Sequence, residues 1–163
     1  MMKIVPSQIN DLPTILKIYE HARQMMKING NPNQWKNSSP ETSDVINDIN
    51  QGIHYSIWND NEIVGVFTLL NEEDPCYRYI EGKWLNDEKY KTIHKIASLN
   101  KVKGILLEAI NFALKDVNNI RIDTHQDNKI MLHLLEKYGF KRCGIIYLKN
   151  KEARIAFQYV KEQ

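Results

Sequence analysis

The chain has 163 residues, enough for one domain with a buried core, and its 42% hydrophobic and 26% charged residues are ordinary for a globular protein. Its 22 basic and 20 acidic residues leave a net charge of +2, too balanced to argue for nucleic-acid or membrane partners on electrostatics. Cys76 and Cys143 lack metal-ligand spacing; a single disulfide is open to them, and free thiols of a reducing cytosol are the simpler reading. The start, Met-Met-Lys-Ile-Val-Pro, has no apolar signal-peptide core, and no apolar run reaches membrane-spanning length, so a cytoplasmic protein is expected.

Residues 3–6 read as a short strand, and Asp11-Leu12-Pro13 opens a helix with a capping-type Asp and an early Pro. Leu12, Ile15, Leu16, Tyr19, Ala22 and Met26 share one face of that helix. Residues 27–38 are a polar loop punctuated by Gly30 and Pro32, with Trp35 its one large apolar residue. Ser38-Ser39-Pro40-Glu41 predicts a second helix through a capping box between Ser38 and Glu41, with Val45, Ile46 and Ile49 inward and Gly52 at its end. Residues 53–70 form a hairpin turning at Asn59-Asp60-Asn61.

Residues 71–89 are a charged connection anchored by Tyr79, Ile80 and Trp84. A fourth strand covers about 90–99, and a helix about 104–116 turns Ile105, Leu106, Ala109, Ile110 and Ala113 inward. Residues 118–125 are a fifth strand, and a helix from Asp127 ends at Gly139. Strands at 140–148 and 153–160 close the chain about Lys149-Asn150-Lys151-Glu152. The order β-α-α-β-β-β-α-β-α-β-β predicts an α/β (α+β) fold: a mixed, mostly antiparallel sheet of about seven strands. Its fourth and fifth strands form a parallel pair, and helices cover both faces.

The junction Asn-Lys-Val-Lys-Gly at 100–104 lies between a strand and a helix, where amides point outward without partners and suit an anion. Lys101 and Lys103 add charge, and Gly104 lets a ligand approach the backbone. On local chemistry alone, the glycine could simply ease the turn and the lysines be solvated.

Three stretches resemble the GCN5-related N-acetyltransferase (GNAT) family over nearly the whole chain: IVPSQINDLPTILKIY, IHKIASLNKVKGI and IRIDTHQDNKIMLHLLEKYGF. The resemblance implies one such domain over residues 1–163 that transfers an acetyl group from acetyl-CoA, as cosubstrate, to a primary amine by direct attack. It implies a pyrophosphate held by Lys101, Val102, Lys103, Gly104, Ile105 and Leu106. It implies a pantetheine arm along Ile96, Ala97 and Ser98, with Asn128 and Met131 beside it. Asn128 also has the chemistry of a helix cap. In the family's loop the sixth position is Gly or Ala where this chain has Leu106, and the first is Gln or Arg where it has Lys101. The helix tyrosine that protonates the leaving thiolate in many members corresponds to Leu135, while Tyr138 falls on an apolar stripe with Met131, Leu134 and Leu135.

A general base is useful because an alkylammonium is only about one-thousandth deprotonated at neutral pH. His94 and His125 are the candidates for the base, each with a structural role as its alternative, and Tyr147 is a candidate acid. Trp35 and Trp84 could line the acceptor pocket, or simply fill the core. Polyamine, amino acid, antibiotic, peptide N-terminus and protein lysine all stay open as acceptors. The missing helix tyrosine motivates an alternative, a catalytically inactive module that binds coenzyme A. His21, His54, His94, His125 and His133 lack ligand spacing, so no metal is expected. Neither nucleic acid nor membrane is expected as a partner, while an edge strand or the last hairpin offers a route to a homodimer.

Overall fold

A computed structural model describes residues 1–36 and 38–162; Asn37, inside the predicted polar loop, and Gln163 lie outside the described residues. Strand β1 (Met2–Pro6) leads through a 3-10 turn at Ile9–Asp11 into α1 (Leu12–Ile28). The Asp11 side chain does not cap α1; its amide bonds the Gln8 carbonyl, and Pro13 sits in the first turn, where helix amides need no partner. Helix α1 buries Ile15, Ile18 and Tyr19, while Leu16, expected inward, is only half-buried, since the stripe that meets the sheet runs through Ile18 instead. Helix α2 (Thr42–Asn50) starts later than expected, with Glu41 as its N-cap. The capping box therefore does not form: Ser38 lies four positions before the first helical residue, where it cannot serve the first-turn amides.

Strands β2 (His54–Asn59) and β3 (Glu62–Leu70) form the expected hairpin. The 71–89 connection hides the two-residue strand β4 (Glu81–Gly82), which pairs with a later strand through backbone alone and so raises the count from seven strands to eight. Its buried anchor is Tyr77 at 1% exposure, with Trp84 and Ile80 packed alongside; Tyr79 is 64% exposed and stacks on Tyr147. Then follow β5 (Lys91–Ser98), α3 (Ile105–Ala113), β6 (Asn119–Thr124), α4 (Lys129–Lys137), β7 (Lys141–Tyr147) and β8 (Ala153–Val160). All five residues expected inward on α3 are buried.

The strands line up as β1-β2-β3-β5-β6-β8-β7-β4 in one sheet, antiparallel except for β5 with β6. The predicted parallel pair is thus the fifth and sixth strands. One core packs α3 and Leu135 of α4 against Phe67, Ile93, Ile120 and Phe157. A second packs α1 and α2 against Ile63, Val66 and Ala97, so helices cover both faces. A third cluster, around Tyr77, Tyr90, Ile146 and Ala156, lies beneath the 71–89 connection. Gly65 of β3 lets α3 start close to the sheet: a Cβ there would stand 2.9 Å from Ile105 Cγ2. Among the described residues, no helix is long and apolar enough to cross a membrane.

The two halves of the sheet meet in a short seam. Strands β5 and β6 pair only at Lys91 with Ile120 and at Thr92 with Arg121, and beyond that point they diverge. Backbone beyond the seam has no strand partner on that side, which opens a wedge at the carboxyl ends of a parallel pair, where ligands of α/β sheets commonly bind.

Candidate active site

The bend in β5 begins at Lys95. Its φ is +52°, and the pairing with β3 slips there from Thr68 with His94 to Val66 with Ala97. Such bulges re-aim a strand beside a site, and a non-glycine residue holds this conformation only when its surroundings enforce it. Here a buried network does so. The Tyr19 hydroxyl donates to the Lys95 carbonyl at 2.8 Å, and Lys95 Nζ pairs with Asp48 Oδ2 at 2.9 Å, which also accepts from Thr68 Oγ1 at 2.7 Å. Because Tyr19 has given its only hydrogen to Lys95, His54 Nε2 must donate to the tyrosine oxygen at 2.9 Å, and His54 Nδ1 accepts from Ser7 Oγ at 2.7 Å. His54 is therefore neutral, and burial lowers its pKa to about 4. Burial, then the Asp48 charge, raises the Tyr19 pKa well above that of an ordinary phenol.

Past the bulge, amides alternate between the two edges of the strand. The Leu99 amide reaches back to the Val64 carbonyl, so the amides of Leu99 and Ala97 face β3 while those of Ser98 and Ile96 face the wedge. A groove of about 140 Å³ follows this edge, walled by Ile96, Ala97, Ser98, Met25, Met26 and Asn128. It shares Met26, Ile96 and Asn128 with a cleft of about 350 Å³, a volume that suits a small molecule. His94, Lys95, Asp123, Met131, Trp35 and Arg154 are among the residues lining that cleft.

His94 Nε2 lies 2.8 Å from Asp74 Oδ2, in the turn after β3. Burial alone would raise the Asp74 pKa, but the hydrogen bond and charge of His94, with help from the Cys76 amide, bring it below the usual carboxylate value. When the imidazole is neutral, an ionised Asp74 accepts the Nε2 hydrogen and leaves the Nδ1 lone pair free to take a proton. A second pair sits nearby: Tyr77 donates to Asp123 Oδ2 at 2.7 Å, and its ring lies 6.3 Å from that of His94. Burial, then Asp123, pushes the Tyr77 pKa well up, so it stays a donor.

Four residues beyond Asn100, which walls the groove, Gly104 adopts φ +85° as the N-cap of α3, a conformation that glycine takes without strain, and a Cβ there would meet no atom within 4 Å. Among the described residues, the amides of 101–107 donate no hydrogen bond, so a ring of outward donors tops a nine-residue helix. Lys101 and Lys103 are exposed, with Lys101 paired to Glu62, while Val102 and Ile105 anchor the loop to the main core. Leu106 is 5% exposed and points into that core, leaving the loop open where its side chain would otherwise intrude. The junction thus has the donors, positive charge and room that a diphosphate needs.

Asn128 realises its capping role: its Oδ1 accepts from the Met131 amide at 3.1 Å, while its Nδ2 donates to Gln34 Oε1 at 3.0 Å on the wall shared by groove and cleft. Trp35 lines the cleft and packs edge-on against Tyr19 at 5.8 Å. The other candidates lie elsewhere. His125 Nδ1 accepts from the Asp127 amide at 3.0 Å and faces a neighbouring depression. Tyr147 is bonded to Glu81 at 2.8 Å on the surface. Trp84 donates to the Tyr77 carbonyl at 2.9 Å and stacks 4.2 Å from the Arg121 guanidinium, in the third cluster. Leu135 is fully buried, and Tyr138 packs at the edge of the main core. Asp74, Tyr77, Asp123 and Arg154 carried no local signal: their partners stand far off in sequence, and no periodicity reports such contacts. Among the described residues, no group of three or more His, Cys, Asp or Glu could hold a metal ion.

No family model matches the chain, and no curated protein matches it either. Solved structures do. A GNAT-family acetyltransferase from Streptococcus agalactiae is similar at 30% identity, with a TM-score of 0.87 and coverage of 99% of this chain and 96% of its own. A GNAT-family acetyltransferase from Bacillus cereus is similar at 18% identity, TM-score 0.64, over 100% and 99% of the two chains. The ribosomal-protein-S18-alanine N-acetyltransferase of Escherichia coli is similar at 13% identity, TM-score 0.57, over 100% and 96%. The last two likenesses bear on the fold alone.

Proposed function

The chain belongs to the GNAT family of acetyltransferases, and from that premise we propose that it transfers the acetyl group of acetyl-CoA to a primary amine held in the cleft between β5 and β6. The observation that carries this reading is the run of unpaired amides at 101–107, which follows in the chain on Asn100, a wall residue of the groove along Ile96 and Ser98.

When bound, acetyl-CoA supplies an acyl group activated as a thioester. The amides of 101–107 and the positive end of α3 hold the diphosphate, with Lys101 and Lys103 adding charge. Ile96 and Ser98 pair with the amides of the pantetheine arm, with Asn128 and Met131 alongside. The Ile96 N–H is the donor we assign to the acetyl carbonyl oxygen, which gains negative charge as the amine attacks. His94 Nδ1 takes the proton that the attacking ammonium must lose, and Asp74 steadies the resulting imidazolium. No α4 hydroxyl lines the cleft, so this chain offers the departing sulfur a proton from water rather than from a tyrosine. Wedging both substrates side by side supplies much of the rate.

Two measurements test the reading together. Calorimetry with coenzyme A should show saturable binding that Lys101→Glu weakens, and a thiol-release assay with acetyl-CoA should show turnover with an amine. Absence of binding rejects the whole proposal; binding without turnover across a broad amine panel rejects its catalytic half.

A further inference from the structure

We infer that the amine acceptor also carries a carboxylate, and that Arg154 receives it in the cleft; this rests on the acetyl-transfer reading above. Arg154 is 4% exposed, yet it lines the cleft. Among the described residues, it makes two hydrogen bonds, Nη1 to the Ala153 carbonyl at 2.9 Å and Nη2 to the Gln34 carbonyl at 3.3 Å. No carboxylate of the described residues lies within ion-pair distance of it.

A guanidinium has five N–H donors in a planar fork, and burying its charge is costly unless an anion or a full set of acceptors offsets the loss of water. Two neutral carbonyls are a partial set. The buried and half-buried acids around the cleft are engaged elsewhere: Asp48 by Lys95 and Thr68, Asp74 by His94, Asp123 by Tyr77. Glu152 is near enough to feel the Arg154 charge, but it pairs with Lys36 at 3.4 Å and with Asn150. The cleft therefore holds a buried cation with spare planar donors, the arrangement that receives a carboxylate in two parallel bonds. Glu41 and Asp44 line the same cleft, are exposed, and form no ion pair among the described residues, so they suit the ammonium end of the same molecule. A small zwitterionic amine, of the α-amino acid class, matches both signs and the 350 Å³ of space.

Arg154 also ties the Gln34 loop to β8, so a loss of activity on substitution would not by itself separate binding from support. The test compares α-amino acids with their own carboxamides, in pairs, as acceptors in the thiol-release assay. The ratio of kcat/KM, acid over amide, should fall roughly 10- to 100-fold from wild type to Arg154→Gln, mainly through KM for the acid, while coenzyme A affinity by calorimetry is unchanged. Arg154→Lys, which keeps the charge and loses the fork, should give an intermediate ratio, and it decides the matter alone should Arg154→Gln not fold. An unchanged ratio overturns the inference, as does a wild type that acetylates other amines but no carboxylate-bearing one. In those cases acetyl transfer itself stands; failure to bind coenzyme A, or binding without turnover of any amine, removes both.

Discussion

Asp74 Oδ2 stands 2.8 Å from His94 Nε2, joining the turn after β3 to the middle of β5. His94→Gln should lower kcat/KM about 10²- to 10⁴-fold with little change in coenzyme A affinity. Asp74→Asn should lower it less and alter the shape of the pH–rate profile, because an amide can present either donor or acceptor to the ring and no longer fixes its tautomer. Equal activity in wild type and His94→Gln across pH 6–9 would remove the imidazole from the mechanism.

The α3 junction makes two separable predictions. Gly104→Val places a branched side chain at φ +85° and should weaken coenzyme A binding in calorimetry, through strain rather than collision, since the space there is open. Leu106→Ala should instead cost about 2–5 kcal/mol of stability in urea titration, as expected for a truncated core leucine. Tighter coenzyme binding by Leu106→Ala with no loss of stability would mean that the side chain faces the loop after all.

Restoring a tyrosine on α4 should not restore an acid. Leu135 is fully buried, so Leu135→Tyr should overpack the main core and cost about 1–3 kcal/mol, read as a lower denaturation midpoint, with no gain in thiol release. A faster enzyme of unchanged stability would show that the position reaches the cleft.

His54 predicts acid lability. Its pKa is about 4 in the folded protein against 6.5 ordinarily, so between those values the unfolded chain binds a proton that the folded one excludes. Stability is thus fully present above about pH 6.5 and declines as pH falls towards 4, by up to roughly 3 kcal/mol at 1.36 kcal/mol per pH unit. Urea midpoints measured from pH 7.5 to 4.5 should show this slope, and His54→Gln should flatten it.

Where burial follows a period, the fold was legible: the inward face of α3 falls at spacings of one, three and four, and β3 is one apolar run because it is a central strand. Strand β4 was not, since Glu81 and Gly82 pair by backbone and no side-chain pattern marks them. The capping box was a local pattern without a helix start behind it. Within the site, the loop was legible because its chemistry is contiguous. The Asp74–His94 and Tyr77–Asp123 contacts span 20 and 46 residues, and Arg154 reaches a carbonyl 120 residues away; only the folded chain brings such groups together.

The alternation of amides along β5 should leave a mark in deuterium uptake. Leu99 and Ala97, tied to the neighbouring strand, should exchange slowly, whereas Ser98 and Ile96 should label fast, an odd–even fingerprint within one strand. Added acetyl-CoA should slow the even positions and leave the odd ones alone, reporting occupancy residue by residue without any acceptor being known.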